Sequence, residues 1–257
     1  MIDIHCHLLS GVDDGAVDLA ESIEMAEKAV SDGIQTIVVT PHHGNGVYTQ
    51  SRADIAGRVA ALQEVLEGLC IPLTLHPGME EHFRPTLIEE AQAGTLCPLG
   101  TSGNYVLVEF PFLTIPDGAE DMFFHLQMAG YTVILAHPER NVVLQNQMER
   151  LYRLVHIGCL TQITEMSLTG ELGERAMQCA HRMVQHRLAH ILASDAHSAD
   201  SRFPRLSEGV EIVKRLTKNP KLARQMVEER PAAILAGSPL HVPEPVPPKP
   251  KKRFLFF

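Results

Sequence analysis

Seven short runs of aliphatic and β-branched residues recur along this chain, alternating with stretches patterned as helices. The runs are Ile2–His7, Thr36–Thr40, Leu73–His76, Tyr105–Phe110, Thr132–Ala136, Leu160–Thr164 and His190–Ser194. Most are nearly continuous in apolar character, which marks parallel strands covered on both faces. Between them, Leu19, Ile23, Ala26 and Val30 predict one helical face, stopped by Gly33. Ile55, Val59, Leu62, Leu66 and Leu69 predict another, with Ser51 as its N-cap. Met122, Leu126 and Ala129 lead to Gly130, and Met148, Leu151 and Val155 lead to Gly158. Two more helical patterns occupy about 170–187 and 204–236. So many strand–helix units with short connections predict an α/β fold with a parallel sheet closed into a barrel. The 257 residues suit one large domain or two small ones.

The pattern stops at Gly237. From Ser238 the chain reads SPLHVPEPVPPKPKKRFLFF, and proline neither continues a helix nor pairs in a central strand. Residues 238–257 are therefore expected to form an extended, flexible tail beyond a domain of residues 1–237. Lys249, Lys251, Lys252 and Arg253 precede Phe254, Leu255, Phe256 and Phe257, an end suited to docking on a partner or a membrane surface.

Charge and cysteine usage narrow the function classes. The chain carries 31 acidic and 22 basic residues, a formal net charge of -9. That balance disfavours nucleic acid and anionic membrane as default partners. An anionic substrate would then need locally placed cations. Five irregularly spaced cysteines without a CxxC point to a reducing compartment. No secretory signal and no membrane-spanning run is read, so a cytoplasmic protein is expected.

The 14 histidines matter for where they fall. In parallel α/β folds, functional groups gather at the carboxyl ends of strands. Here those ends carry His5 and His7, then His42, Glu80, Glu109, His137, and Asp195 with His197. His5 and His7 alternate along one strand, so both imidazoles reach the same side while Cys6 faces the helices. Alone, that HxH fits a metal grip or a hydrogen-bonded core pair equally well. An isolated DxH such as Asp195–His197 fits a surface turn, and Asp14 in VDDG fits a turn-forming acid. Carboxylates ending buried strands, such as Glu80 and Glu109, need cations or donors to offset desolvation. Six segments supplying histidine and carboxylate to one end of a sheet favour a polynuclear metal site. Bridged ions lower the pKa of a shared water and clamp an in-line displacement. Arg140, three residues beyond His137, is placed to bind phosphate, whereas Arg202, just beyond His197, reads equally well as a phosphate contact or an exposed loop arginine. His43, His76 and Glu139 border the site, and His82 and Glu81 lie on its rim. His125, His156, His181, His186 and His190 read as surface or packing residues.

The segments MIDIHCHLL, VDDG, TPHH, GME, LVEF, AHPERN and ASDAHS together resemble the polymerase-and-histidinol-phosphatase (PHP) superfamily. More closely, they resemble bacterial manganese-dependent protein tyrosine phosphatases of capsule and exopolysaccharide loci. The resemblance runs from Met1 to about Gly237. It implies a distorted TIM-like barrel of seven strands and three divalent metal ions, manganese with iron or zinc as alternatives. It assigns His5, His7, Glu80 and Asp195 to one ion. Glu80 would bridge to a second ion on Glu109 and His137, and Asp14, His42 and His197 would hold the third. Arg140 and Arg202 match phosphate-contacting arginines. The implied partner is a bacterial tyrosine autokinase controlling polysaccharide export. One departure stands out: TQITEMSL lacks the asparagine expected near Thr164, and Glu165 adds negative charge to the rim.

The mechanism this implies is in-line attack by a metal-bridging hydroxide with no phosphoenzyme. No cysteine is followed six positions later by arginine, so a cysteine-based phosphatase cradle is missing. Three alternatives stay open: a small-molecule phosphatase, such as one for histidinol phosphate; another metal-dependent hydrolase, amidohydrolase or TatD-like; or a non-catalytic metal-binding module.

Overall fold

The computed structural model describes residues 1–100 and 103–248. Its strands are β1 (Ile2–Cys6), β2 (Thr36–Val39), β3 (His42–His43), β4 (Thr74–Pro77), β5 (Glu80–His82), β6 (Tyr105–Glu109), β7 (Thr132–Ala136), β8 (Leu160–Thr164) and β9 (Ile191–Ala193). Each of the seven predicted runs holds a strand. The two additional short strands, β3 and β5, prolong β2 and β4 after a bend. Gly78 N donates to Val39 O and Glu80 N to Pro41 O, so pairing continues across both bends.

All ladders are parallel, in the orders β1-β2-β4 and β3-β5-β6-β7-β8-β9. Past β9, Asp195 N donates to His5 O and His7 N to Ala196 O, and Cys6 bridges Ala196. The last strand therefore meets the first at their carboxyl ends. Strand alternation sorts the apolar residues into two cores. Ile4, Val38, Leu107, Ile134, Leu160, Ile191 and Ala193 fill the inner one. Cys6, Ile37, Val39, Val106, Val108, Leu135, Ile163 and Leu192 face the outer one, against the helices.

Helix α1 spans Leu19–Ser31 and α2 spans Arg52–Gly68. Ser51 caps α2 through a reciprocal pair with Asp54. Ile55, Val59, Leu62 and Leu66 are buried as predicted, whereas Leu69 is exposed. The predicted face of α1 is rotated. Ser22, Met25, Ala26 and Ala29 are its buried residues and Leu19 is exposed. Small residues bury there because they let the helix approach the sheet, a signal that apolar periodicity underweights. Further helices cover Ala119–Met128, Met148–His156, Glu174–Gln185 and Ser207–Thr217.

Beyond a further helix at Arg230–Leu235, residues 238–248 form neither helix nor strand. Leu240 and Val242 pack on the inner core, Tyr105 Oη donates to Ser238 O at 2.6 Å, and Val246 N donates to His186 O at 2.8 Å. The basic and aromatic end, Lys249 to Phe257, lies outside the described residues. Among the described residues, no helix is long and apolar enough to cross a membrane.

Candidate metal centre

The strand ends converge because a β-bulge re-aims the first of them. Register between β1 and β2 slips between Asp3 and Cys6. Ile4 consequently joins the inner core, yet His5 and His7 also turn inward while Cys6 faces out. His5 Nε2 and His7 Nε2 lie 3.2 Å apart. Around them stand Glu80 Oε2, at 3.3 and 3.5 Å, and Asp195 Oδ1, at 3.4 and 3.6 Å.

Glu80 reaches further. Its Oε1 lies 2.8 Å from His137 Nε2, and its Oε2 lies 2.8 Å from His42 Nδ1. Glu109 stands 3.8 Å from both of these histidines. On the other flank, Asp14 Oδ1 lies 3.5 Å from His42 Nε2 and from His197 Nε2. All nine expected ligands thus meet at one end of the barrel, in overlapping groups whose donor atoms lie within 4.8 Å of one another. Two of them sit on strained backbone, His137 at φ 30° and Asp195 at φ 52°. Each such conformation costs about 1–2 kcal/mol, which the surrounding packing must offset.

The donor set fits metal ions. His7 Nδ1 donates to Asp13 Oδ2 at 2.6 Å, and His5 Nδ1 donates to Gln162 Oε1 at 2.9 Å. A neutral ring that donates from Nδ1 presents a lone pair at Nε2. Two such lone pairs and two carboxylates therefore face one another. Glu80 Oε2 is buried, and His42 Nδ1 at 2.8 Å is too poorly aligned to give it a well-formed hydrogen bond. Cations satisfy this arrangement better than protons do. The carboxylates make this pocket a sink for positive charge. Burial by itself would lower His5, but Glu80 and Asp195 push it up to about 9. Burial likewise opposes His42, which contact with Glu80 pushes up to about 10. Asp195, despite burial, is held far below the usual carboxylate range by His5 and by Arg202.

Both arginines arrive at the same carboxylate. Arg140 Nη1 donates to Asp195 Oδ2 at 2.6 Å and Arg202 Nη2 donates to it at 2.8 Å. Arg202 Nε is buried with no partner. The Arg140 guanidinium lies 4.6 Å from the centroid of the Phe112 ring, which also stacks on His137 at 5.6 Å.

Asp13, Gln162 and Phe112 were not anticipated from the sequence. Asp13 also accepts from His42 N and Gly15 N, tying the VDDG turn to two ligands. A β-carbon at Gly15 would collide with the His7 main-chain oxygen, so that turn requires glycine. Two expectations are corrected. Glu81 and His43 pair with each other at 2.7 Å on the outward face of β5 and β3, away from the cluster. Glu165 lies buried against Arg205 rather than on the rim. Glu139 accepts from Thr164 N and Ser167 Oγ, supporting the segment behind His137. His82 Nδ1 stands 3.4 Å from Glu109, at the edge of the cluster, and His76 enters none of the ligand groups.

The sequence matches the family described as "Capsular polysaccharide synthesis, CpsB/CapC" over residues 1–236. It is 38% identical over 257 residues to the tyrosine-protein phosphatase YwqE of Bacillus subtilis (strain 168), covering 100% of both chains. It is 36% identical over 202 residues to the putative tyrosine-protein phosphatase CapC of Staphylococcus aureus, 79% of each chain. A solved structure from a study of YwqE from Bacillus subtilis and CpsB from Streptococcus pneumoniae, titled as unique metal-dependent tyrosine phosphatases, superposes with a TM-score of 0.92. That match is 38% identical and covers 97% of this chain and 100% of the other. A lactonase from Listeria monocytogenes shares the fold alone, at 13% identity and a TM-score of 0.55. With the match extending across nearly its whole length, the chain belongs to the CpsB/CapC family of capsular polysaccharide synthesis proteins.

Proposed function

We propose that this protein is a metal-dependent protein tyrosine phosphatase. One observation carries the reading: a buried carboxylate, Asp195, faces two buried imidazoles with one oxygen and two arginines with the other. That joins a cation site to an anion site at bonding distance, as phosphoryl transfer requires. We assign His5, His7, Glu80 and Asp195 to one divalent ion. Glu80, Glu109 and His137 are assigned to a second, and Asp14, His42 and His197 to a third. Manganese is the proposed metal, with iron and zinc as the alternatives.

Bound there, such ions supply Lewis acidity and a water of lowered pKa. The chain's own residues do the rest. Asp13 and Gln162 fix the His7 and His5 rings so that each presents Nε2. Arg140 and Arg202 neutralise the phosphoryl oxygens, and the free Arg202 Nε is a donor available for one of them. Phe112 holds the Arg140 guanidinium from one face. Cys6 is buried on the opposite side of β1 and its thiol is pushed well up by burial, so it takes no part.

The proposed substrate is phosphotyrosine on a cytoplasmic segment of a bacterial tyrosine kinase that governs polysaccharide export. The test is turnover of a phosphotyrosine peptide from such a kinase against histidinol phosphate, before and after chelation. Peptide hydrolysis that chelator abolishes and divalent metal restores is the expected result. Preference for histidinol phosphate would overturn the substrate, and chelator-resistant activity would overturn the metal.

A further inference from the structure

We propose a second anion site at the amino end of the barrel, where Arg230 and His190 bind a small phosphate- or sulfate-type oxyanion. His190 immediately precedes β9, so it stands at the opposite end of that strand from Asp195. Beside it lies a cavity of about 230 Å³, lined by Arg187, His190, Asn219, Gln225, Arg230 and Pro243 among others. None of the residues lining it is acidic.

Among the described residues, His190 Nε2 is a buried donor with no partner, and Arg230 beside it has no acidic one. Arg230 is 5% exposed, and among the described residues its guanidinium makes one hydrogen bond, from Nη1 to His190 O at 2.7 Å. Among the described residues it forms no ion pair. Burial lowers its pKa, and Glu229, its neighbour in sequence, only partly counters this. A buried guanidinium without an acidic partner calls for a counter-ion. His190 is 1% exposed, and its Nδ1 accepts from Thr161 N at 3.0 Å. Burial and Arg230 together lower the ring to about 3, so it is neutral and carries its proton on Nε2. That Nε2 has no partner among the described residues.

A neutral N–H and a guanidinium fork beside a small cavity make an oxyanion site by charge and by geometry. Arg187 stands exposed at its edge and adds positive charge, and the 238–248 segment passes over it at Pro243. The cavity is too small for a nucleotide or a peptide and suits a single tetrahedral ion with its waters.

Crystals of the full chain soaked in sodium selenate, with data collected at the selenium edge, locate the ion directly. An anomalous peak within hydrogen-bonding distance of the Arg230 guanidinium is expected. Water alone in that cavity overturns the proposal. In solution, calorimetric titration of the metal-loaded protein with inorganic phosphate should contain a component that Arg230→Gln weakens by at least about ten-fold. Glutamine keeps a donor for His190 O, and a circular dichroism melt checks that the variant folds. An isotherm unchanged by a folded Arg230→Gln overturns the site, and the selenate result in the unaltered chain decides should the variant unfold.

Discussion

Arg140 and Asp195 are 55 positions apart in sequence, yet they are joined by a 2.6 Å ion pair at the carboxyl end of the barrel. The same carboxylate approaches His5 and His7 with its other oxygen. Asp195→Asn keeps the shape but removes the charge that both sides use. It should lower kcat by about a hundred-fold or more, the scale of losing a preorganised electrostatic group. Bound metal, measured by elemental analysis, should fall with it. Activity within a few-fold of the unaltered protein would remove Asp195 from the site.

Asp13 touches no substrate atom in this reading and acts through His7. Asp13→Asn should weaken metal affinity by about ten- to a hundred-fold, as loss of a carboxylate behind a ligating histidine does. With saturating metal, most of kcat should return. A loss that excess metal does not rescue would mean that Asp13 has another role.

The exposed edge of Phe112 stands beside Arg140 and His137. It is placed to stack on the ring of a phosphotyrosine bound to that arginine. Phe112→Ala should raise KM for a phosphotyrosine peptide by about ten-fold, the scale of one aromatic contact plus its buried area. Its effect on an alkyl phosphate should be small. Equal losses for both substrates would show that Phe112 only steadies Arg140.

His190 gives stability a pH dependence with a definite sign. Burial, helped by Arg230, depresses its folded value to about 3 from an ordinary 6.5. The unfolded chain therefore takes up a proton that the folded chain refuses. The stability due to a neutral His190 is fully present above 6.5 and is lost as pH falls from 6.5 towards 3. Within that window the loss is about 1.4 kcal/mol per pH unit. His190→Asn, whose side-chain oxygen can replace Nδ1 as acceptor, should flatten the profile. Denaturant midpoints of both proteins across the window, in buffer free of phosphate and sulfate, measure this. Parallel profiles would rule out His190 as the source.

The parts that the sequence disclosed were those set by one-dimensional periodicity. The strands were legible because a sheet buried on both faces demands uninterrupted apolar runs, as in Tyr105–Glu109 and Thr132–Ala136. Their ends were legible because a buried histidine or carboxylate there has few other uses. The remainder depends on three-dimensional closure. VDDG offered two adjacent acids, and only Asp14 was singled out, although Asp13 is the one hydrogen-bonded to His7. Gln162 had a detectable signal, a polar residue inside an apolar strand, but its partner His5 lies 157 positions away. The bulge in β1 leaves no mark in composition. Glu165 looked exposed because its partner Arg205, 40 residues on, cannot be paired with it by periodicity.

The bridge between Cys6 and Ala196 also orders events in time. His5 and His7 leave the ribosome first, while Asp195 and His197 follow nearly two hundred residues later, and the seam between them closes only then. Such distant pairing is slow and cannot be anticipated by any local segment. A chain stopped before Asp195 would lack two of the nine proposed ligands, Asp195 and His197, and the carboxylate that both arginines contact. Assembly of the proposed site therefore waits on the pairing of the first strand with a segment nearly two hundred residues later.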